Sequence, residues 1–243
     1  MNTSPLKSPL ALIWDLVLVP QGAEFVRVNR SWQRAVKQAP MGRPLPPLLA
    51  LPAGPEPVQR FLRQWWAQKT FTPQRVLLLG LAGSLTPSLC LGDRLIYSAC
   101  GQEPGPQWLT PEQTWVAPLQ NQIPHLKVVR GWSSAQVVGR VKEKLALAEK
   151  YQAQAIDMEN GAILSFLEEL GVACTILRVV SDDLGGDLPD LRYLYDPQGR
   201  LRASSLAIAL AKNPLAAARL ITGAWQGLKS LEELALVLSG ELS

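Results

Sequence analysis

Two acidic positions, each at the end of a predicted strand, are the residues of this sequence best placed for chemistry. Residues 172–180 form an apolar run rich in β-branched side chains, which predicts a buried strand, and Asp182 follows it closely. Residues 156–158 are predicted to end a second, short strand, and Glu159 begins the helix predicted after it. In open α/β sheets, ligands bind in the crevice beyond the carboxyl ends of the strands. The two acids therefore predict a site at that edge of the sheet.

Asp182 could serve as a general acid. It lies between Ser181 and Asp183, directly after the apolar run. A carboxylic acid that stays protonated in such a place can give its proton to a leaving group. The alternative is that Asp182 and Asp183 only cap the turn after the strand, because Ser-Asp pairs are common turn formers.

Glu159 suits a different task, since an ionised carboxylate at a helix start only accepts hydrogen bonds, as two sugar hydroxyls would require. A plain helix-terminal glutamate is the alternative. Arg178 lies within the apolar run, and strand alternation puts it on the same face as Val180 and Asp182. A buried arginine needs a partner, which Asp182, Glu159 or a C-terminal acid could supply. Glu24, at the start of the first predicted helix, is a third acid after a strand.

Composition limits the classes of partner. The chain has 243 residues with 47% hydrophobic residues, which predicts a single domain over residues 1–243, with its core at about 10–183. Its basic residues are scattered and its net charge is only +4, so no nucleic-acid partner is expected. No apolar run approaches the roughly 20 residues of a membrane span, and the N-terminus does not resemble a signal peptide, so we expect a cytoplasmic protein with no membrane partner.

Metal and cofactor signatures are missing from the sequence. Cys90, Cys100 and Cys174 are widely spaced in apolar sequence, which indicates reduced thiols, and His125 is the only histidine. No CxxC pair, GxGxxG fingerprint or P-loop is present. We therefore expect no metal site and no cofactor.

Strand and helix patterns alternate along the chain, which predicts an α/β fold. The segments predicted as strands are 10–19, 48–51, 75–81 and 94–99, and those predicted as helices are 54–69, 136–151 and a first helix from Ala23. Residues 101–113 are predicted as an exposed loop, and the turn-rich residues 183–200 as a lid or specificity loop. Helices are predicted from about Ala203 to about residue 243, with interruptions near Pro214 and Lys229.

Three blocks of this sequence have a familiar form. They are GLAGSLTPSLCLGDRLIYS at 80–98, AIDMENGAI at 155–163 and LRVVSDD at 177–183, and LVLVPQGAEF at 16–25 precedes them. In that order, the three blocks resemble the glycine-rich block, the ribose-contacting Met-Glu block and the R-x-x-S-D block of one family. The segment that precedes them resembles the first strand and acid-bearing loop of the same family. That family is the nucleoside phosphorylase / 5'-methylthioadenosine (S-adenosylhomocysteine) nucleosidase superfamily. Their joint order and spacing are far more specific than any one block.

The resemblance implies a fold and a reaction. The fold would be a three-layer α/β/α sandwich whose central mixed sheet is partly barrel-like, and the reaction would be cleavage of the N-ribosidic bond of a purine-type nucleoside. By resemblance, Asp182 would protonate the leaving base with support from Ser181. Glu159 would hold the ribose 2'- and 3'-hydroxyls, and Met158 would pack on the sugar.

The resemblance also implies two further groups of contacts. The backbone of Ala82, Gly83 and Ser84 would face the nucleophile side. Val137 and Val138 fall where the family lines the base pocket, often with an aromatic residue. Members are usually dimers, trimers or hexamers, so we expect a homo-oligomer.

The nucleophile is predicted from the first loop. Phosphorylases of the family carry arginines in that loop and before the glycine block, whereas this chain has PQGAE there and Leu79 before Gly80. Phosphate without a charge-assisted clamp would bind poorly. Nucleosidases of the family instead use a glutamate in the first loop to orient or activate water, and Glu24 aligns with that glutamate. Hydrolysis is therefore favoured, with a phosphate-dependent phosphorylase and a non-catalytic nucleoside-binding protein as the alternatives.

Overall fold

A computed structural model describes residues 10–38, 45–103, 105 and 107–240 of the chain. Strands and helices alternate along these residues. The strands are β1 (Leu16–Pro20), β2 (Leu48–Leu51), β3 (Arg75–Ser84), β4 (Arg94–Gln102), β5 (Gln107–Leu109), β6 (Lys127–Ser133), β7 (Ala155–Asp157) and β8 (Ala173–Asp182). The helices are α1 (Ala23–Gln38), α2 (Pro55–Gln68), α3 (Val116–Gln122), α4 (Val141–Tyr151), α5 (Asn160–Glu169), α6 (Ala203–Lys212) and α7 (Pro214–Ser239). None of these helices is both long and apolar enough to cross a membrane.

Five strands close into a ring, and this confirms the predicted mixed, partly barrel-like sheet. β3 pairs with β8, β8 with β4, β4 with β6, β6 with β7, and β7 returns to β3. The pairings of β7 with β3 and of β4 with β8 are antiparallel, and the other three are parallel. β1 and β2 extend the sheet from β3 in parallel, and β5 extends it from β4 in antiparallel pairing. The parallel strands β1, β3 and β8 therefore end at the same edge.

Helices cover both faces of the extended sheet, which explains the unbroken apolar runs of its strands. In β1, Leu16 and Leu18 pack in a cluster with residues of α2 and α5, whereas Val17 and Val19 pack with residues of α1 and α7. All four side chains are at most 1% exposed. Burial of each such side chain stabilises the fold by about 1.5–3 kcal/mol. The layers are thus helix, sheet and helix, as predicted.

The first predicted strand is wrong at its beginning. Leu10–Ile13 is a short 3-10 helix, and the strand starts only at Leu16. Asp15 lies between them and its Oδ2 accepts hydrogen bonds from the backbone N–H groups of Gln74 and Arg75, both at 2.9 Å. These bonds hold the bend that separates the two segments, and an apolar run alone does not reveal such a bend.

Three other predictions need correction. Within the predicted loop 101–113, Gln107–Leu109 forms β5, because its backbone pairs with β4. The helix predicted from residue 136 begins only at Val141. The break near Pro214 is confirmed, but α7 continues through Lys229 without interruption.

Candidate active site

Glu24 is the second residue of α1, and its side chain reaches β3. Its Oε2 accepts a 2.6 Å hydrogen bond from the Leu81 N–H. Gly80 makes room for it, because a Cβ there would stand 2.7 Å from Glu24 Oε2 and would collide with Nη1 of Arg178. Burial raises the pKa of Glu24 to about 7, although the Arg178 guanidinium and the Leu81 N–H oppose that rise. Glu24 can therefore exchange a proton near neutral pH.

Glu159 precedes α5 and is 7% exposed. Its Oε1 accepts a 2.9 Å hydrogen bond from the backbone N–H of Gly54, just before α2. Burial raises the pKa of Glu159 to about 7; Arg178 opposes the rise, while Asp157 and Glu24 add to it. The structure thus brings Glu24 and Glu159 into one electrostatic environment.

Arg178 is the cation that these two acids share. It lies in β8, is 1% exposed, and its Nη2 donates a hydrogen bond to Asn160 Oδ1. Its Nε and Nη1 are buried and have no hydrogen-bond partner among the described residues. Burial lowers the pKa of the guanidinium, but the charges of Asp157, Glu159 and Glu24 outweigh burial and raise it. A buried, charged donor with two such nitrogens is a position at which a ligand would form hydrogen bonds.

Asp157 organises the residues around Arg178. Its Oδ1 accepts hydrogen bonds from Ser133 Oγ at 2.6 Å and from the backbone N–H groups of Glu159 and Asn160 at 3.0 and 2.8 Å. Its Oδ2 accepts a 2.8 Å bond from Asn160 Nδ2. Asn160 therefore links Asp157 to Arg178 and fixes the guanidinium through Nη2, whereas Nε and Nη1 bond no described residue.

Asp182 ends β8 and lies beside Gly83. A Cβ at Gly83 would meet its two carboxylate oxygens at 2.8 and 3.0 Å. Ser181 Oγ is 3.4 Å from both Asp182 Oδ1 and the Ala82 carbonyl oxygen, so it contacts Asp182 only weakly. The ammonium of Lys144 forms an ion pair with Asp182, and the Lys144 side chain is fully buried. Asp182 therefore has a permanent partner that the sequence did not predict.

Arg178 and Asp182 stand at two levels of the same strand. In the register of β8 against β3, Arg178 is opposite Gly80 and Asp182 is opposite Gly83, with a bulge between them. Four residues of extended chain span roughly 13 Å. We call the surroundings of the buried Arg178 the deep end of the candidate site and those of Asp182, at the end of the strand, its rim.

A strap formed by residues 194–201 lies over the ends of β1 and β2. Tyr195 and Leu201 form an isolated bridge that closes it. The Gly199 carbonyl oxygen accepts a 3.1 Å bond from the Ala53 N–H and a 2.7 Å bond from Gln21 Nε2. Part of the predicted lid loop is therefore hydrogen-bonded to the sheet edge.

Tyr195 belongs to the strap and interacts electrostatically with the acids of the deep end. Burial raises the pKa of Tyr195 above its usual value, and the negative charges of Glu24 and Glu159 raise it further. The tyrosine thus shares the environment of the two acids.

The other residues predicted for the site lie in different surroundings. Ala82 and Ser84 are buried in β3, and Ser84 Oγ is occupied by hydrogen bonds with the backbone of Thr86. Met158, which lies between Asp157 and Glu159 in the sequence, is half-buried. Val137 lines a cavity of about 760 Å³ between the start of α4, residues 187–194 and α6. Val138 packs instead against the aromatic cluster that includes Trp132.

Several residues of this site were missed from the sequence. Lys144 could have been found, because helical spacing puts it on one face of α4 with Leu147, Ala148 and Tyr151, which all pack inward. The role of Asn160 comes from its contacts with Asp157 and Arg178, which no local pattern of the sequence predicts. Within the described residues, no three or more His, Cys, Asp or Glu side chains are grouped so that they could hold a metal ion.

Comparisons with known proteins agree with this architecture. The structure resembles 5'-methylthioadenosine/S-adenosylhomocysteine nucleosidase from Helicobacter pylori, with a TM-score of 0.61 at 16% identity over 90% of this chain and 96% of that one. It resembles futalosine hydrolase from Helicobacter pylori with a TM-score of 0.63 at 18% identity, over 93% and 97% of the two chains. It resembles a putative 5'-methylthioadenosine/S-adenosylhomocysteine nucleosidase from Francisella philomiragia with a TM-score of 0.64 at 13% identity, over 93% of this chain and 98% of that one. These likenesses show the fold.

Sequence comparison identifies the family. No curated protein matches this chain significantly. The family model of the phosphorylase superfamily matches residues 46–210, which is more than half of the chain and contains the glycine-rich, Met-Glu and R-x-x-S-D blocks. The chain therefore belongs to the phosphorylase superfamily.

Proposed function

We propose that the protein cleaves the N-ribosidic bond of a purine-type nucleoside, with water as the nucleophile. The observation that carries this proposal is the deep end of the site. There, two glutamates with pKa values of about 7 flank a buried arginine, two of whose nitrogens bond no described residue. Membership of the superfamily and the nucleosidase fold of the similar structures support the same reaction class.

Glu159 is the proposed ribose contact. Its carboxylate is buried and fixed by the Gly54 N–H, so it is oriented before a ligand binds. An ionised carboxylate can accept hydrogen bonds from two neighbouring hydroxyls, which distinguishes a ribose from a sugar without them. Met158, which is half-buried beside it, would pack on the sugar.

Glu24 is the proposed general base. A pKa of about 7 suits a base that takes a proton from water at neutral pH. Nη1 and Nε of Arg178, which bond no described residue, would orient that water beside the Glu24 carboxylate. The oxygen of this water would then attack C1' of the ribose as one proton of the water passes to Glu24.

Asp182 is the proposed general acid at the rim. It lies opposite Gly83 at the end of β8, roughly 13 Å along the strand from Arg178. As the C1'–N bond breaks, the proton of the Asp182 carboxyl would pass to the leaving nitrogen, with Ser181 nearby as a weak support.

Phosphate is the competing nucleophile, and Arg178 is the observation in its favour, because a guanidinium binds phosphate oxygens well. The charges around Arg178 favour water instead. Glu24, Glu159 and Asp157 all contribute to the field at this guanidinium, and a phosphate dianion would be added to those carboxylates at short range.

The test is a cleavage assay on a panel of purine nucleosides, including 5'-methylthioadenosine, with and without phosphate. We expect release of free base and reducing ribose without phosphate. Glu24→Gln should lower kcat by at least about 100-fold, the usual contribution of a general base. Glu56→Gln is the matched control, because Glu56 is likewise the second residue of its helix but is exposed, and it should retain full activity.

Two outcomes would contradict the proposal. Strict dependence on phosphate, with ribose 1-phosphate as a product, would identify a phosphorylase. Tight binding of a nucleoside without turnover on the whole panel would identify a non-catalytic binding protein.

A further inference from the structure

The buried ammonium of Lys144 is the charged group that the proposed reaction leaves without a task. Its side chain is fully buried, at 0% exposure, and it reaches from α4 to the end of β8. There it forms the ion pair with Asp182 and donates a 3.0 Å hydrogen bond to the carbonyl oxygen of Asp183. Both contacts are at the rim of the candidate site.

The fold has little reason to keep a lysine at this position. Lys144 belongs to the N-terminal part of α4, where the helix dipole disfavours a cation. Burial of an ammonium is costly, and a buried ion pair can often be replaced by apolar residues without loss of stability. Its face of α4 otherwise carries Leu147 and Ala148, which pack against an apolar cluster. A methionine would fit that face as well, so the charge points to a role at Asp182.

The surroundings of Lys144 keep the Asp182 carboxylate in one place. The start of α4 is tied to the segment after β8, because the Val141 N–H donates to Asp187 Oδ1 at 2.8 Å and the Leu188 N–H donates to the Gly139 carbonyl oxygen at 2.9 Å. Lys144 thus approaches the carboxylate from a fixed helix, while Gly83 bounds it on the strand side. A cavity of about 300 Å³ is lined by Asp182 and by residues from the segments 183–188 and 218–222, so water can reach the Asp182 carboxylate.

We propose that Lys144 is a positioning residue that holds the Asp182 carboxyl and supplies the proton that Asp182 gives to the leaving base. This inference rests on the proposed function. In the first step an N–H bond of the Lys144 ammonium breaks and an O–H bond forms on Asp182. In the second step that O–H bond breaks as the leaving nitrogen takes the proton and the C1'–N bond cleaves. Lys144 is left as a neutral amine, and a proton from water returns to it through the Asp182 carboxylate, which lines the cavity.

The experiment compares Lys144→Met with the unmutated protein on a cleaved nucleoside from pH 5 to pH 9. We expect kcat at pH 7 to fall by about 100-fold, within the usual range for general acid catalysis, and KM to change by less than about threefold. The kcat of this variant should recover as the pH falls toward 5, because solvent protons then replace Lys144 as the source of the transferred proton. Lys150→Met is the matched control, since Lys150 is exposed on the same helix, and its profile should follow that of the unmutated protein.

Lys144→Arg is the second variant. An arginine keeps the positive charge but does not give up its proton, so it should have the low kcat of Lys144→Met at pH 7. Full activity of Lys144→Arg would overturn the inference, because charge alone would then suffice. So would a loss of kcat in Lys144→Met that is equal at every pH, since that result describes a structural role.

The failure of this inference differs from the failure of the proposed function. If the unmutated protein cleaves no nucleoside, the proposed function and this inference are both overturned. If it cleaves a nucleoside and Lys144→Met has an unchanged kcat and pH profile, this inference alone is overturned.

Discussion

The deep end and the rim of the candidate site are charged in different ways. At the deep end, the buried guanidinium of Arg178 lies in the field of Asp157, Glu159 and Glu24, and two of its nitrogens have no partner among the residues that the structure describes. At the rim, Asp182 is paired with a single fully buried lysine. The deep end therefore has an excess of acid and unused donors, whereas the rim is balanced.

The difference indicates two tasks. Burial of two acids with one cation keeps both glutamate pKa values at about 7, so these groups can exchange protons with a ligand at neutral pH. Unpaired buried donors are costly in the free protein and gain their partners when a ligand binds. At the rim, the ion pair with Lys144 instead holds the Asp182 carboxylate in one position. The deep end is thus suited to binding and the rim to holding one carboxyl in place.

The largest expected effect comes from removing the cation of the deep end. Arg178→Met should lower kcat/KM by at least about 1,000-fold, because it removes the donor proposed to orient the nucleophile and leaves three carboxylates without their shared cation. The free energy of unfolding should fall by about 3 kcal/mol, as is usual when one partner of a buried charge pair is removed. Steady-state kinetics and urea unfolding at pH 7.5 measure both quantities.

Arg75→Met is the control for this change, because Arg75 begins β3 and is exposed. Its 3.8 Å contact with Asp15 is a surface pair, which contributes at most about 1 kcal/mol. If Arg178→Met had no more effect than this control, the deep end would not be a binding site.

Two glycines of β3 provide a direct test of the two ends with the same substitution. Gly80→Ala places a methyl group against Arg178, Glu24 and the Pro20 ring, whereas Gly83→Ala meets the far end of the Asp182 side chain and Ile156. The first methyl displaces groups that are fixed by hydrogen bonds on their other side, so we expect about a 100-fold loss of kcat/KM, near that of a lost transition-state donor. The second should cost about tenfold, the effect of roughly 1.4 kcal/mol, and act mainly on kcat. Equal losses in both variants would remove the distinction between binding and holding.

The apolar runs of this fold could be predicted from the sequence, and the ends of their strands to within about three residues. β2 occupies the predicted residues 48–51, and β8 extends the predicted run into Asp182. α5 begins at Asn160, one residue after the start predicted at Glu159. These features follow from local composition and from the residues that end a strand or begin a helix.

The partners of the site residues could not be predicted, because they depend on strand pairing. β7 is antiparallel to β3, with Ala155 opposite Ser84 and Ile156 opposite Gly83. The chain therefore runs back along β3 toward Gly80, which brings Glu159 to the deep end rather than beside Asp182. Local periodicity predicts that a strand exists, but the direction and register of its pairing come from tertiary contacts.

The smallest expected effect is a pH dependence that belongs to the deep end alone. Because the pKa values of Glu24 and Glu159 rise from 4.5 to about 7 on folding, the folded protein binds more protons than the unfolded chain between about pH 5 and pH 7. The stabilisation is full below that interval and is lost as the pH rises through 7, so the free energy of unfolding should fall over this interval. Urea unfolding at half-unit steps of pH measures this slope.

The catalytic rate should change in the opposite direction over the same interval. As the proposed base, Glu24 would act only when it is ionised, so kcat/KM should rise as the pH passes through 7 while the stability falls. Glu24→Gln removes one of the two titrating groups and should flatten the stability slope by about half, whereas the exposed Glu56→Gln should leave it unchanged. If Glu24→Gln and Glu56→Gln gave the same slope, Glu24 would not be the proton-exchanging group, and the proposed base would have to be Glu159 or the water itself.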